Sequence, residues 1–110
     1  MIIADFKSAI ETKNFKEMSE CFSTNGRIFD YCPEGAGKVN SFIFGKKAVD
    51  MFYHNKFYLD GLSFQDPKII DERTLDFYGN YGGALIHAIA TIETYDTETG
   101  LINEMVIRPA

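Results

Sequence analysis

The chain has no tryptophan, two histidines, two cysteines and three prolines among 110 residues. Each scarcity closes off a class of function. Cys21 and Cys32 make no Cys-x-x-Cys pair and no histidine cluster accompanies them, so a zinc site is not predicted. Two free thiols suit a reducing compartment, and each reads as a small buried hydrophobe. No apolar run approaches the roughly 20 residues needed to cross a bilayer. The N-terminal Met-Ile-Ile-Ala-Asp is too short for a signal peptide. No Asn-x-Ser/Thr acceptor occurs. A soluble, cytoplasmic protein is the expectation.

Positive charge is scarce as well. Lys and Arg number 11 against 16 Asp and Glu, a net charge of −5, and the basic residues are scattered. Phosphate-led binding of nucleic acid is therefore not expected, nor is docking to an anionic membrane. Gly35-Ala36-Gly37-Lys38 lacks the frame of a phosphate loop. There is no Ser-His-Asp order, no His-Glu-x-x-His and no dinucleotide fingerprint, so neither a metal nor a redox cofactor is predicted.

Apolar residues, by contrast, make up 45% of the chain, with ten Phe and six Tyr. That composition folds rather than staying disordered. The length predicts one domain, 1–110, burying roughly two-thirds of its unfolded surface. So much aromatic surface goes either to a bulky core or to a pocket or partner surface.

Ile2, Ile3, Phe6, Ala9 and Ile10 recur at helical spacing, which predicts a helix over 2–12. Asn14 with Glu17 reads as the cap of a second, shorter helix, with Phe15, Met18 and Phe22 on its apolar face. Residues 23–26 read as a turn and 27–31 as a short strand. Pro33, Gly35 and Gly37 make 32–40 a loop. A third helix runs from Gly45 to about Leu59, ended by Asp60-Gly61. Strands are predicted over 63–72, 74–78, 84–95 and 101–107, with Pro67 at an edge or bulge, 78–83 as turn and 96–100 as a hairpin loop. Helices first and antiparallel strands afterwards predict an α+β fold, with the helices on one face of a curved sheet.

The stretch from Thr24 to Tyr53 joins a strand carrying one carboxylate, Asp30, to a Gly/Pro-rich loop and then to Phe-Gly-Lys-Lys-Ala-Val-Asp-Met-Phe-Tyr. This strand, loop and Gly-x-x-Ala-Val-x-x-Phe-Tyr helix resembles the nuclear transport factor 2-like superfamily, which includes ketosteroid isomerases and SnoaL-like polyketide cyclases. The resemblance implies a conical, cystatin-like fold around an apolar pocket, with Asp30 at the place of the isomerases' general base. It covers Phe6 to about Ile107.

Asp30 is therefore the first candidate catalytic residue. A carboxylate in an apolar pocket has a raised pKa and can take a proton from carbon beside a carbonyl, the logic of ketosteroid isomerase. The bland alternative is a strand-end Asp bonding the amides that follow it. His87 stands mid-strand in Leu-Ile-His-Ala-Ile. If the odd positions face the cavity, His87 assists Asp30 with Thr91 beside it; otherwise it is a satisfied core histidine. Phe6, Phe22, Phe29, Phe52 and Tyr53 are candidate pocket-lining residues, although a helical aromatic stripe is usually core. His54 reads as a rim residue, and Lys46 and Lys47 as a solvated pair.

The implied ligand is a small hydrophobic or carbonyl-bearing molecule, bound without a cofactor. The implied chemistry is isomerisation, cyclisation or dehydration with Asp30 as base. The alternative is a non-catalytic, homodimeric binding module. Ala84, Ile86, Ala88, Ala90 and Ile92 form a smooth row predicted to face outward, giving a face-to-face homodimer centred near Ala88. Gapless counting places the isomerases' two oxyanion donors at Phe6 and Thr91, so efficient ketosteroid isomerase activity is not expected. Tyr31 and Tyr53 are the nearby hydroxyls that could replace them.

Overall fold

Helix α1 (Ile2–Glu11) turns Ile3, Phe6, Ala9 and Ile10 inward, each at most 1% exposed. Helix α2 (Phe15–Glu20) begins at Asn14, whose side chain accepts from the Glu17 amide at 3.0 Å, as the cap signal predicts. The computed structural model describes residues 1–110. After α2 come β1 (Phe22–Asp30), a 3-10 turn (Pro33–Ala36), β2 (Ser41–Phe44), helix α3 (Lys46–Tyr58), β3 (Ser63–Asp71), β4 (Thr74–Tyr81), β5 (Ala84–Tyr95) and β6 (Ile102–Pro109). No helix is long and apolar enough to cross a membrane.

The strands form one open six-stranded sheet in the order β2-β1-β6-β5-β4-β3. β1 and β6 run parallel; every other neighbouring pair is antiparallel. α1 packs over β3 and β4, and α3 over β1 and β2, so the sheet carries its helices on one face. This is the predicted α+β arrangement.

The face of β5 is a correction. Ala88 and Ala90 are fully buried and Ile92 nearly so, so the even row looks inward. Leu85, His87, Ile89, Thr91 and Glu93 look outward. The reason lies in the partner strands. Phe77 and Leu75 of β4 stand opposite Ala88 and Ala90 on the same inner face. Small residues beside large ones let that layer interdigitate. A dimer centred on Ala88 is therefore ruled out by its burial.

Two strands run longer than the sequence predicts. β1 takes in 23–26 through an irregularity between Phe22 and Arg27. β4 continues past Tyr78 because Gly79 does not turn: a side chain there would collide with the Tyr81 ring, which folds back over it.

Candidate functional site

Asp30 closes β1 and points inward, only 2% exposed. Its Oδ1 accepts from the Cys32 amide at 2.9 Å, the local turn that a strand-end Asp favours. Its Oδ2 accepts from the Tyr81 hydroxyl at 2.8 Å. Burial pushes the Asp30 carboxyl above its ordinary range, and these two hydrogen bonds oppose the shift without cancelling it. Tyr81 comes from the end of β4, with β5 and β6 between it and β1. In a flat sheet those strands would stand about 14 Å apart, so this bond depends on the curvature of the sheet.

Three more protons sit close by. Burial, and then the Asp30 charge, pushes the Cys32 thiol up to about 12. The same two causes raise the Tyr81 phenol. Tyr53 is fully buried, and its phenol is raised by burial and by Asp30 and Cys32. Its hydroxyl has no hydrogen-bond partner, the one buried side-chain polar atom in that position. One carboxyl thus lies among three groups that keep their protons at neutral pH.

Above Asp30 opens a cleft of about 60 Å³, lined by Asp30, Tyr81, Phe52, Leu62, Lys38 and Lys56 among others. That is room for roughly four waters. Lys56 lies 5.4 Å from the centre of the Phe52 ring and pairs with Asp60 at 3.1 Å. Lys38 is exposed and joins no ion pair. Its ammonium lies over Gly82, whose φ of 66° and missing side chain both serve the turn that follows Tyr81.

Of the predicted site residues, the structure brings Asp30 and Phe52 to the cleft, with Tyr53 buried beside them. Phe6 and Phe22 are core residues, their ring centres 6.3 Å apart. Phe29 lies on the outer face, 5.7 Å from Phe42 and 5.6 Å from Phe44. His87 is also on the outer face, where it meets Asp76 at 2.7 Å and stacks on Tyr78. It cannot assist Asp30 from there, because the sheet lies between them. Thr91 faces outward too, beside the exposed 71–74 turn. His54 is exposed and leans on Phe15. Sequence reasoning missed Tyr81, hidden in apparent turn residues, and also Lys38, Lys56 and Leu62. No three His, Cys, Asp or Glu side chains converge where a metal could sit.

No protein-family model and no curated protein matches the sequence. Solved structures do. A protein of unknown function with a cystatin-like fold from Methylobium petroleophilum PM1 superposes with a TM-score of 0.72 at 14% identity, over 99% of this chain and 73% of that one. The chain has the cystatin-like fold. An NTF2-like protein of unknown function from Cytophaga hutchinsonii matches with a TM-score of 0.65 at 13% identity, over 99% and 87% of the two chains. A hypothetical protein with a ketosteroid isomerase-like fold from Catenulispora acidiphila DSM 44928, in complex with trimethylamine, gives 0.66 at 11% identity, over 99% and 85%. These likenesses agree with the resemblance carried by Thr24–Tyr53, and at such identities they establish the cystatin-like fold alone.

Proposed function

We propose that this chain binds a small carbonyl-bearing molecule in the cleft above Asp30, and that Asp30 exchanges a proton with it. The observation that carries this reading is the buried Asp30 carboxyl, lifted in basicity and lining an accessible cleft. A carboxylate of raised pKa is a better base towards a C–H beside a carbonyl than an ordinary one. Tyr81 lines the same cleft; once Asp30 has taken the proton, the Tyr81 hydroxyl no longer has to donate to it and can turn to stabilise charge on the carbonyl oxygen. Proton transfer alone suffices for isomerisation, cyclisation or dehydration through an enol, and no cofactor is required.

The size of the cleft narrows the ligand. Pockets for drug-sized ligands begin at roughly 300 Å³; this one has about 60 Å³. A steroid is far too large for it. That adds to the argument from Phe6, which lacks a hydroxyl, and Thr91, which faces away.

The test is hydrogen–deuterium exchange at C3 of butan-2-one, followed by proton NMR, with amide shifts recorded during titration. Catalysed exchange lost in Asp30→Asn is the expected result. If butan-2-one moves no resonance of Cys32, Phe52 or Tyr81, the reading fails.

A second reading is favoured by the outer face. Tyr31, Phe42 and Phe44 are 39%, 52% and 64% exposed and, with Phe29, form one cluster of edge-on rings across β1 and β2. Such a patch invites a partner. In this reading the domain is a non-catalytic homodimer joined through its outer sheet face. Light scattering should then show a dimer that Phe44→Glu dissociates; a wild type that stays monomeric at high concentration excludes it.

A further inference from the structure

The geometry points to a short oxo acid as the ligand class, its carbonyl placed at Asp30 and its carboxylate held by Lys38. This rests on the reading of the cleft as a carbonyl-binding site. It adds an anion to it.

The charges lining the cleft carry the inference. The chain as a whole is acidic, with a net charge of −5. The cleft is not. Its four charged side chains are Asp30, Lys38, Lys56 and Asp60. Lys56 and Asp60 neutralise one another at 3.1 Å. The two oxygens of Asp30 are taken up by the Cys32 amide and the Tyr81 hydroxyl. Lys38 is left as the lysine of the cleft without an ion-pair partner.

Lys38 also stands where it can act. Its ammonium rests against Gly82, the residue after Tyr81, and Tyr81 donates to Asp30. The cation and the carboxyl therefore share one short segment as their scaffold. The cleft's polar groups include a carboxyl, a hydroxyl and an ammonium without an ion-pair partner. A molecule that fits about 60 Å³ and meets both the carboxyl–hydroxyl pair and the ammonium carries its carbonyl and its carboxylate on a short chain. A small cation is the opposite prospect, and Lys38 repels it.

The test compares pyruvate with pyruvamide, its neutral isostere, by NMR titration of the wild type, Lys38→Met and Asp30→Asn. Lys38 is exposed, and the Met side chain keeps its stem, so the fold is undisturbed. The wild type should bind pyruvate about tenfold more tightly than pyruvamide, the low end for a hydrogen bond to a charged group. Lys38→Met should abolish that preference and still bind pyruvamide. Pyruvamide bound as tightly as pyruvate by the wild type, or a preference that survives Lys38→Met, overturns the oxo-acid assignment and leaves the carbonyl site standing. Failure of both compounds to move Phe52 or Tyr81 overturns the two together. Binding of trimethylammonium in place of pyruvate overturns the oxo-acid assignment.

Discussion

Each face of the sheet holds a carboxylate in a short hydrogen bond, and an inner and an outer pair behave differently. On the inner face Tyr81 donates to Asp30 at 2.8 Å. On the outer face His87 meets Asp76 at 2.7 Å. Distance does not separate them; burial does. Asp30 is 2% exposed and its acidity is altered by the loss of water. The His87 and Asp76 side chains are 43% and 24% exposed, and water screens their pairing. Proximity makes a contact, and burial gives it chemical consequence.

The largest effect comes from testing which face is which. Ala88→Arg should cost about 4 kcal/mol or more, because it overpacks a fully buried site and buries an unpaired charge. Ile89→Arg, one residue along and half-exposed, should cost under about 1 kcal/mol. Thermal unfolding followed by circular dichroism measures both. A folded, fully stable Ala88→Arg would break the assignment of faces.

Next in size is the loss of the inner donor. Tyr81→Phe removes the hydroxyl from a buried carboxyl and should cost about 1–3 kcal/mol in urea unfolding. It should also raise the Asp30 pKa further, since that hydrogen bond favours the charged form. A carboxyl resonance that titrates as in the wild type would show that the bond contributes nothing.

These cases also show what the sequence made legible. Asn14 and Glu17 marked α2, Gly45 marked the start of α3, and the alternation from Ala84 to Tyr95 marked β5 with its bounds. Each signal is local. The direction in which β5 faces is not. The even row is apolar and small, the odd row mixes Leu85 and Ile89 with His87, Thr91 and Glu93, and the large Leu75 and Phe77 opposite show that the small row goes inward. Asp30 was found because it is the one carboxylate of its strand and stands where the resemblance puts the isomerases' base. Tyr81 was missed because Gly79 and Asn80 imitate a turn, while Gly79 in fact makes room for the Tyr81 ring. The cleft itself joins the ends of β1 and β4 with side chains from α3, and no local pattern records that meeting.

A smaller effect separates the faces by pH. Asp30 has a folded pKa above its unfolded one, so protonation favours the folded state. Its contribution is fully present below the unfolded pKa, falls as pH climbs through the folded pKa, and is constant above that. Asp30→Asn removes the ionisation and keeps an acceptor for the Cys32 amide. Its stability should therefore decline less than that of the wild type between acid and neutral pH, with the gain seen near neutrality. Urea midpoints taken across that range measure it. Parallel curves for the two proteins would mean that Asp30 titrates like a free carboxyl.

The smallest effect belongs to His87, and its smallness is informative. His87→Ala loses the contact with Asp76 and the stacking on Tyr78, whose ring centre lies 4.6 Å away. Both interactions are solvent-exposed, so stability should fall by no more than about 1 kcal/mol. The cleft is on the other side of the sheet and keeps Asp30, Tyr81 and Lys38 unchanged. Exchange of butan-2-one by His87→Ala should therefore equal that of the wild type, whereas Asp30→Asn loses it. Exchange that falls together in both variants would mean that His87 reaches the chemistry after all. The inner and outer carboxylates would then be parts of one site, and the contrast between them would collapse.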